Sequence, residues 1–296
     1  MPLRWPLTIG TTFSIMAETK NRGDNMVINN LFLSEEVSRL VPETAVNADG
    51  SVLRRECRIV SEHSLELFVN EKLALKLVCT PSNLVELVVG RMISEGYIRS
   101  TDDVEMIYIC GSGNRARVFL KDAACKALDL RQAVEEVPTC CTDNRVFLRN
   151  GTAENAQPPK LPKAEWKPEW IFALANEFAS GSKIHKATQG THSCYLSVHG
   201  EIRFSGEDIG RHNAMDKAIG YAAMQGLKPE DCILFTTGRV PTDMVKKVIA
   251  ARIPVLVSKS VPTDAAVEMA RARNLTLICK AWPDRFEIFH EANSIL

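Results

Sequence analysis

The 296-residue sequence has no net charge, no long apolar run and no cysteine pattern typical of a disulfide framework. Its 36 Lys and Arg balance 36 Asp and Glu, so no overall positive field favours nucleic acid as a partner. No apolar stretch approaches the roughly 20 residues that a membrane helix needs, which argues against a membrane protein. The nine cysteines are odd in number and widely spread, which favours reduced thiols and a cytoplasmic protein.

The composition, with 45% hydrophobic and 24% charged residues, is ordinary for a globular protein of one large or two modest domains. Residues 1–48 show no sustained hydrophobic period and are interpreted as a tail and lead-in. The first 20 residues are a disordered tail or an over-long start, with a signal peptide as the alternative. We place a small α+β subdomain at 49–135, a mobile cysteine loop or linker at 136–168 and an α/β domain at 169–296.

The first half carries strand signals followed by helix signals. Alternating leucines and valines in 65–77 predict a β-hairpin with one buried face. Thr80 then predicts a helix start, since threonine is a good N-cap and the following Pro81 suits the first helical position. Gly96 lies just past the predicted helix end. Two more predicted strands follow, so the first half is expected to be a small α+β unit.

The second half alternates short apolar strands with helices. Residues 232–235, 254–257 and 275–279 predict strands, and the stretches between them have helical periodicity. This alternation favours a three-layer α/β domain with a partly parallel sheet.

The densest polar cluster lies between a predicted strand and a predicted helix, at 206–217. Ligands commonly bind at such strand-to-helix turns in α/β proteins, and free N–H groups at a helix start attract phosphate. A capped helix start with surface ion pairs is the alternative interpretation. The candidate cofactor-binding residues here are Glu207, Asp208, Gly210, Arg211, His212, Asp216 and Lys217.

Three further strand-end turns carry small and polar residues. Gly190, Thr191 and His192 precede one strand, Gly238 and Arg239 follow another, and Ser258-Lys259-Ser260 repeats the pattern. Arg239 suits bidentate binding of phosphate, or alternatively pairs with Asp243. Because several such turns can meet at one sheet edge, we expect them to line one crevice.

The adjacent pair Cys140 and Cys141 lies in the proline-rich linker, where a reactive thiol would have exposure and room to move. Arg145 is close enough in sequence to stabilise a thiolate, and an inert pair of thiols is the alternative. No cysteine or histidine spacing fits a zinc site, so no metal is predicted. The other seven cysteines are expected to be mostly core residues.

The runs GEDIGRHNAMDKAIG, TQGTHS, TTGRVPTDMVKK and KSVPTDAAVEMARARNLTL, with CTPSNLVELVVGRMISEGYI in the first half, resemble the formate dehydrogenase accessory sulfurtransferase family. The resemblance covers roughly residues 56–289. It implies a cytidine-deaminase-like C-terminal domain beside a smaller N-terminal subdomain, and a homodimer. It also implies transfer of persulfide sulfur from a cysteine desulfurase to a molybdenum (or tungsten) bis-pyranopterin guanine dinucleotide, bound as substrate and destined for formate dehydrogenase.

The family carries its acceptor cysteine in a CxxC motif within the linker. Here Cys140 falls at the first position, Asp143 stands at the second, and Cys141 is additional. The resemblance therefore implies Cys140 as the persulfide carrier and Cys141 as a resolving thiol. The altered motif leaves a second hypothesis, a cofactor-binding chaperone that transfers no sulfur.

The family's cofactor-binding segment follows the NLTL strand. The corresponding residues here are Lys280, Ala281, Trp282, Pro283, Asp284 and Arg285. Lys280 and Arg285 suit phosphate, and Trp282 suits stacking on a base or, alternatively, simple packing. A zinc deaminase is the third hypothesis, but His199-Gly200-Glu201 is followed by no PCxxC motif.

Overall fold

A computed structural model describes residues 26–33, 36–122, 124, 135–137 and 160–292. The predicted cysteine pair Cys140 and Cys141 lies outside the described residues.

The first half contains a six-stranded sheet and one helix, as the alternating pattern predicts. The strand order is β1-β6-β7-β4-β5-β8, with β1, β4 and β5 packed beside parallel neighbours β6, β7 and β8. The elements are β1 (Val27–Asn30), β4 (His63–Val69), β5 (Lys72–Cys79), α1 (Leu84–Ser94), β6 (Val104–Ile109), β7 (Arg115–Leu120) and β8 (Glu135–Val137).

A separate two-stranded ribbon lies between β1 and β4 in the chain. It consists of β2 (Ser38–Val46) and β3 (Val52–Val60), paired antiparallel along their full length. Both β1 and β2 fall within 1–48, where the sequence predicts only a tail and lead-in. The signal was missing because most of their side chains face solvent, so neither strand shows a buried face with alternating hydrophobic residues.

The second half is built on a mixed six-stranded sheet in the order β10-β9-β11-β12-β13-β14. Its central strands β11, β12 and β13 are parallel, and the outer pairings are antiparallel. The strands are β9 (His192–Val198), β10 (Glu201–Asp208), β11 (Cys232–Thr236), β12 (Val255–Ser258), β13 (Thr276–Trp282) and β14 (Arg285–His290). The helices are α2 (Pro168–Ser180), α3 (Lys183–Thr188), α4 (Arg211–Met224), α5 (Thr242–Ala250) and α6 (Asp264–Arg273).

Helices cover both faces of this sheet. Leu234 and Leu256 pack with α4, α5 and α6 on one face, whereas Phe235 and Val257 pack with α2 on the other. Successive residues of a strand point to opposite faces of the sheet. Because helices cover both faces, the central strands are apolar on both sides. The α/β prediction is confirmed in this general sense, and the specific likeness to cytidine deaminases stays a prediction.

One continuous core joins the two halves, because α1 of the first half crosses α4 of the second at very short range. Gly90 and Gly220 form the crossing point. A Cβ atom added at Gly90 would overlap the carbonyl oxygen of Asp216, and one at Gly220 would overlap the carbonyl oxygen of Glu86. Only glycine allows the two backbones to approach this closely.

The predicted start of α1 is three residues too early. The helix begins at Leu84 after Asn83, which has a left-handed backbone with φ of 51°. Thr80 is not its N-cap, because its hydroxyl group instead hydrogen-bonds to Asp208 and to the carbonyl oxygen of Glu207. This long-range contact could not be seen in a local sequence pattern.

Replacing Gly90 with alanine should lower the free energy of unfolding by about 3 kcal/mol or more, because the new methyl group forces α1 and α4 apart. Urea denaturation of Gly90→Ala checks this. Gly111→Ala is the matched control, since a Cβ at Gly111 meets no atom within 4 Å and its backbone is not left-handed. Equal stability of the two variants would contradict the tight crossing.

Candidate functional site

A cleft of about 310 Å³ opens at the edge of the second sheet where β11 and β12 end. Thr237 follows β11 and Lys259 follows β12, while His192 begins the antiparallel strand β9. The structure therefore brings three of the predicted turns together at one crevice. The cleft is lined by Phe178, Gly181, Ser182, His185, Gln189, Gly190, Thr191, His192, Ser193, Ile209, Thr237 and Lys259.

His192 is the titratable group best placed to act in this cleft. Its Nδ1 lies 3.3 Å from Thr237 Oγ1, which accepts a hydrogen bond from the Ser193 N–H. Burial lowers the pKa of His192, and the nearby positive charges of Arg211 and Lys259 act in the same direction. The imidazole is therefore mainly neutral near pH 7, a form that can accept a proton or a hydrogen bond.

Lys259 lies between two aromatic rings at the rim of the cleft. Its Nζ is 4.7 Å from the ring centroid of Phe178 and 5.7 Å from that of Trp282. The two rings meet edge to face at 6.0 Å between centroids, and Trp282 is 41% exposed. A cation beside exposed aromatic faces suits a ligand with both negative charge and a planar ring. Neither Lys259 nor Phe178 is among the predicted site residues, although the Ser-Lys-Ser turn after β12 was a signal for Lys259.

The predicted segment after β13 forms the turn into β14 beside this rim. Ala281 is fully buried, so its side chain cannot reach a ligand, and Lys280 is partly exposed and pairs with Glu287 at 2.7 Å. Trp282 is exposed next to Lys259, and the remaining predicted residues are exposed in the turn, namely Pro283, Asp284 and Arg285.

Glu207 shapes the wall of the cleft and faces protein donors. Its carboxylate accepts hydrogen bonds from the hydroxyl groups of Ser182 and Thr191 and from the backbone N–H groups of Ile184 and His185. The first turn of α3 is thereby occupied by a carboxylate of the protein itself. Glu207 thereby links Ser182, His185 and Thr191, which line the cleft, and so has a positioning role.

Asp208 and Lys217 form a fully buried ion pair beneath the polar turn. Lys217 Nζ lies 2.7 Å from Asp208 Oδ2 and also donates to Thr80 Oγ1 at 2.7 Å. The other carboxylate oxygen of Asp208 accepts from the Gly210 N–H and from Asn213 Nδ2, both at 3.0 Å. The pair thus fixes the turn from below, and its atoms are not exposed to a ligand in the cleft.

Asp216 is also fully buried, in a second group of charges between α1 and α5. It pairs with Arg91 at 2.9 Å and with Lys247 at 3.1 Å, and accepts a hydrogen bond from Ser94 at 2.8 Å. Glu95 pairs with both cations. Asp208, Asp216 and Lys217 were predicted to bind cofactor. The structure instead gives them internal partners that join the two halves of the chain.

His212 and Asp243 form a third buried pair, at 2.7 Å, where α4 and α5 begin. Burial lowers the pKa of His212 despite the hydrogen bond with Asp243. Asp243, the alternative partner considered for Arg239, is bonded to His212, and Arg239 is exposed. Arg211 packs against Gly238, where a Cβ atom would lie 2.9 Å from the Arg211 Cβ. Arg211 also lies close enough to lower the pKa of His192.

β8 is the described segment that precedes the cysteine pair in the sequence. Val137 in β8 pairs with Leu77 in β5, and the two strands run parallel. Three residues beyond Leu77, Thr80 donates to the carbonyl oxygen of Glu207. Cys140 lies three residues beyond Val137, so covalent geometry alone keeps its Cα within about 10–11 Å of that of Val137.

Six other cysteines are described, and two of them do not belong to the core. Cys79, Cys194, Cys232 and Cys279 are buried, as expected, and burial raises the pKa of each, for example to about 12 for Cys79. Cys57 and Cys110 are partly exposed, which corrects the core prediction for these two. Cys57 lies on the solvent-exposed ribbon, and Cys110 ends β6 at a tight Gly-Ser-Gly turn.

Cys110 differs electrostatically from the buried thiols. Burial acts to raise its pKa, but hydrogen bonds from Ser112 and from backbone N–H groups of the turn outweigh it and lower the pKa.

In the described ranges, no three His, Cys, Asp or Glu side chains are grouped to hold a metal ion. No helix in that part of the chain is long and apolar enough to span a membrane.

The sequence model of the FdhD/NarQ family matches residues 60–296. The chain belongs to this family. Curated relatives include a protein named "Sulfur carrier protein FdhD" from Halalkalibacterium halodurans, which is 31% identical over 77% of this chain and 84% of its own length. Proteins of the same name from Bacillus subtilis and Listeria monocytogenes are 30% and 29% identical over 77% and 81% of this chain, and 87% and 92% of their own lengths.

The fold is shared with a crystal structure from Desulfotalea psychrophila, assigned as that of a formate dehydrogenase accessory protein. The two chains superpose with a TM-score of 0.67 at 21% sequence identity, over 86% of this FdhD/NarQ family chain and 97% of the other. At this identity the likeness shows a common fold.

A brief pulse of iodoacetamide at neutral pH should label Cys110 well before the buried thiols, because only a thiolate reacts and only an exposed one is reached. Mass spectrometry of tryptic peptides gives the labelled fraction at each site. Cys79 and Cys279 are the internal controls and should react only in denaturant. Labelling of Cys79 as fast as Cys110 would contradict the geometry.

Proposed function

We propose that this FdhD/NarQ family member is a cytoplasmic sulfur carrier. It accepts persulfide sulfur from a cysteine desulfurase on Cys140 and passes it to a molybdenum (or tungsten) bis-pyranopterin guanine dinucleotide destined for formate dehydrogenase. The names of the curated relatives support the carrier role, and the Desulfotalea protein supports the link to formate dehydrogenase.

The observation that carries the proposal is the position of β8. Its pairing with β5 fixes the chain three residues before Cys140 beside the strand that leads to Thr80. Thr80 contacts the backbone of Glu207, and the Glu207 carboxylate holds Thr191 and Ser182 at the cleft. Cys140 itself lies outside the described residues, so the support comes from the described strand that precedes it and from the contacts that link the end of β5 to the cleft.

Loading of the carrier is a thiol exchange that needs no external oxidant. The Cys140 thiolate attacks the outer sulfur of the donor persulfide and forms a new S–S bond. The donor S–S bond breaks, its thiolate leaves, and Cys140 holds the persulfide. The neutral imidazole of His192 can take the proton of a thiol that enters the cleft. Cys141 would resolve the persulfide when no acceptor is bound: its thiolate would attack the inner sulfur on Cys140, a Cys140–Cys141 disulfide would form, and hydrosulfide would leave.

Lys259 in the cleft and the exposed ring of Trp282 beside it support binding of a guanine dinucleotide, since a cation suits phosphate and an aromatic ring suits stacking on a base. Arg211 and Arg239, in the adjoining turns, add positive charge. When bound, the cofactor provides the metal that accepts the sulfur, while the protein binds its nucleotide arms.

A chaperone that binds the cofactor without transferring sulfur is the second candidate. The replacement of the second CxxC position by Asp143 favours it, since a resolving partner at that spacing is missing. The two candidates share the cleft and differ only in the need for Cys140.

Incubating the protein with a cysteine desulfurase and cysteine should add one sulfur atom, about 32 Da, at Cys140, because the thiolate attacks the donor persulfide. Peptide mass spectrometry locates the adduct. Cys140→Ser should lose it and Cys141→Ser should keep it, which makes the second variant the matched control. An unmodified wild-type protein would favour the chaperone, and equal adducts in Cys140→Ser and wild type would remove Cys140 from the carrier role.

Lys259→Ala should weaken the binding of guanosine diphosphate by about tenfold, because it removes a charge-assisted contact at the rim of the cleft. Isothermal titration calorimetry measures the change. Lys228→Ala, an exposed lysine away from the cleft, is the control and should bind as wild type does. The same affinity in both variants would remove Lys259 from the nucleotide site.

A further inference from the structure

A second cavity, of about 470 Å³, lies at the junction of the two halves of the chain. It is larger than the cleft, whose volume is about 310 Å³. Ile93 and Arg99 of the first half line it together with Ile219, Leu227 and Ile253 of the second. Small-molecule sites commonly lie between domains and have volumes of roughly 300–1,000 Å³. The cavity therefore has the size and the position of a ligand site.

The cavity and the cleft lie at opposite ends of α4. Ile209, two residues before the helix, lines the cleft, whereas Met224, the last residue of the helix, lines the cavity. A helix of 14 residues is about 21 Å long. No described residue lines both spaces. A ligand in the cavity would therefore leave the cleft open to a nucleotide.

The floor of the cavity is apolar and firmly packed. It is formed by four side chains that are each at most 6% exposed, namely Ile93, Ile219, Ala222 and Ile253. These residues come from the ends of α1 and α4 and from the turn after α5, so the tight helix junction holds the floor in place. A recessed apolar surface of this kind favours an apolar group that removes it from water.

The rim of the cavity carries charges of both signs. The cations are Arg99 and Lys228, and the acids are Asp102 and Glu230. All four side chains are exposed, and none forms an ion pair with another residue in the described part of the chain. The Asp102 carboxylate accepts a hydrogen bond from the Ser100 hydroxyl group at 3.2 Å. The rim thus offers two cations and two carboxylates to a ligand.

An apolar floor below charges of both signs fits a zwitterion with an apolar body. The guanidinium group of Arg99 suits a carboxylate, which it can bind through two parallel N–H donors. Glu230 and Asp102 suit an ammonium group. A fatty acid would satisfy the cations but would bring its negative charge close to two acids. An organic amine would have the opposite fault, so neither matches the rim as well as a zwitterion does.

We propose that this cavity binds a free α-amino acid with a large apolar side chain. The side chain of the ligand packs on the isoleucine floor, its carboxylate binds Arg99, and its ammonium group binds the acids of the opposite charge at the rim. The proposal is independent of the sulfur-carrier function, because none of the residues involved lines the cleft.

Three probes with the same apolar body test the charge requirement: L-phenylalanine, 3-phenylpropanoate and phenethylamine. Isothermal titration calorimetry of the full chain should show saturable binding of L-phenylalanine. Each analogue should bind about tenfold more weakly, because it lacks one charge-assisted contact. The affinity for L-phenylalanine should be the same with and without guanosine diphosphate. No saturable binding of L-phenylalanine, an analogue that binds as tightly, or competition with the nucleotide overturns the proposal.

Arg99→Ala tests the carboxylate contact. The variant should bind L-phenylalanine about tenfold more weakly but phenethylamine as wild type does, since the amine has no carboxylate to lose. Arg54→Ala, which removes an exposed arginine of the ribbon, is the matched control and should bind both probes as wild type does. Unchanged binding of guanosine diphosphate shows that Arg99→Ala is folded. Equal weakening of both probes by Arg99→Ala, or of neither, overturns the proposal.

Discussion

The position of every functional element depends on the buried ion pairs between the two halves of the chain. Arg91 comes from the first half, whereas Asp216 and Lys247 come from the second, and all three are removed from water. Burying charges carries a large desolvation penalty, which is offset only when each has a partner in good geometry. Few other arrangements of the two halves would satisfy all of these charges. The ion pairs therefore fix the cleft relative to β5 and β8.

The glycine crossing and the charges act together. Gly90 and Gly220 bring the backbones of α1 and α4 into contact, which places Asp216 within reach of Arg91. α4 begins directly after the polar turn that holds Gly210, and Asp208 anchors that turn to Thr80 at the end of β5. The α1–α4 contact and the Asp208–Thr80 hydrogen bond therefore connect the first sheet, which contains β8, to the second sheet, which borders the cleft.

The sequence predicted the strand-end turns, but it did not show which of their polar residues line the cleft and which are buried in internal ion pairs. Thr191 and His192 do line the cleft, because β9 runs antiparallel to β11 and begins at the edge where β11 ends, and the local pattern reveals both boundaries. Asp208, Asp216 and Lys217 have the same polar character in the sequence. Their burial depends on partners such as Thr80 and Arg91, more than 100 residues away, which no local pattern shows. The ribbon escaped prediction for a related reason, because its exposed strands lack the buried face that periodicity detects. The turn that contains Lys259 was expected at the crevice, but the contacts of Lys259 with Phe178 and Trp282 were not, because the two rings approach it only in three dimensions.

The anchoring of β8 would have a kinetic consequence for the proposed sulfur carrier. Three residues of chain limit the Cα of Cys140 to within about 10–11 Å of that of Val137, and a thiol confined in this way has an effective concentration in the millimolar range or above towards any group held inside that volume. Transfer to an acceptor held inside that volume would be a first-order event within the complex. Loading by a separate donor would remain second-order and would depend on the concentration of the donor.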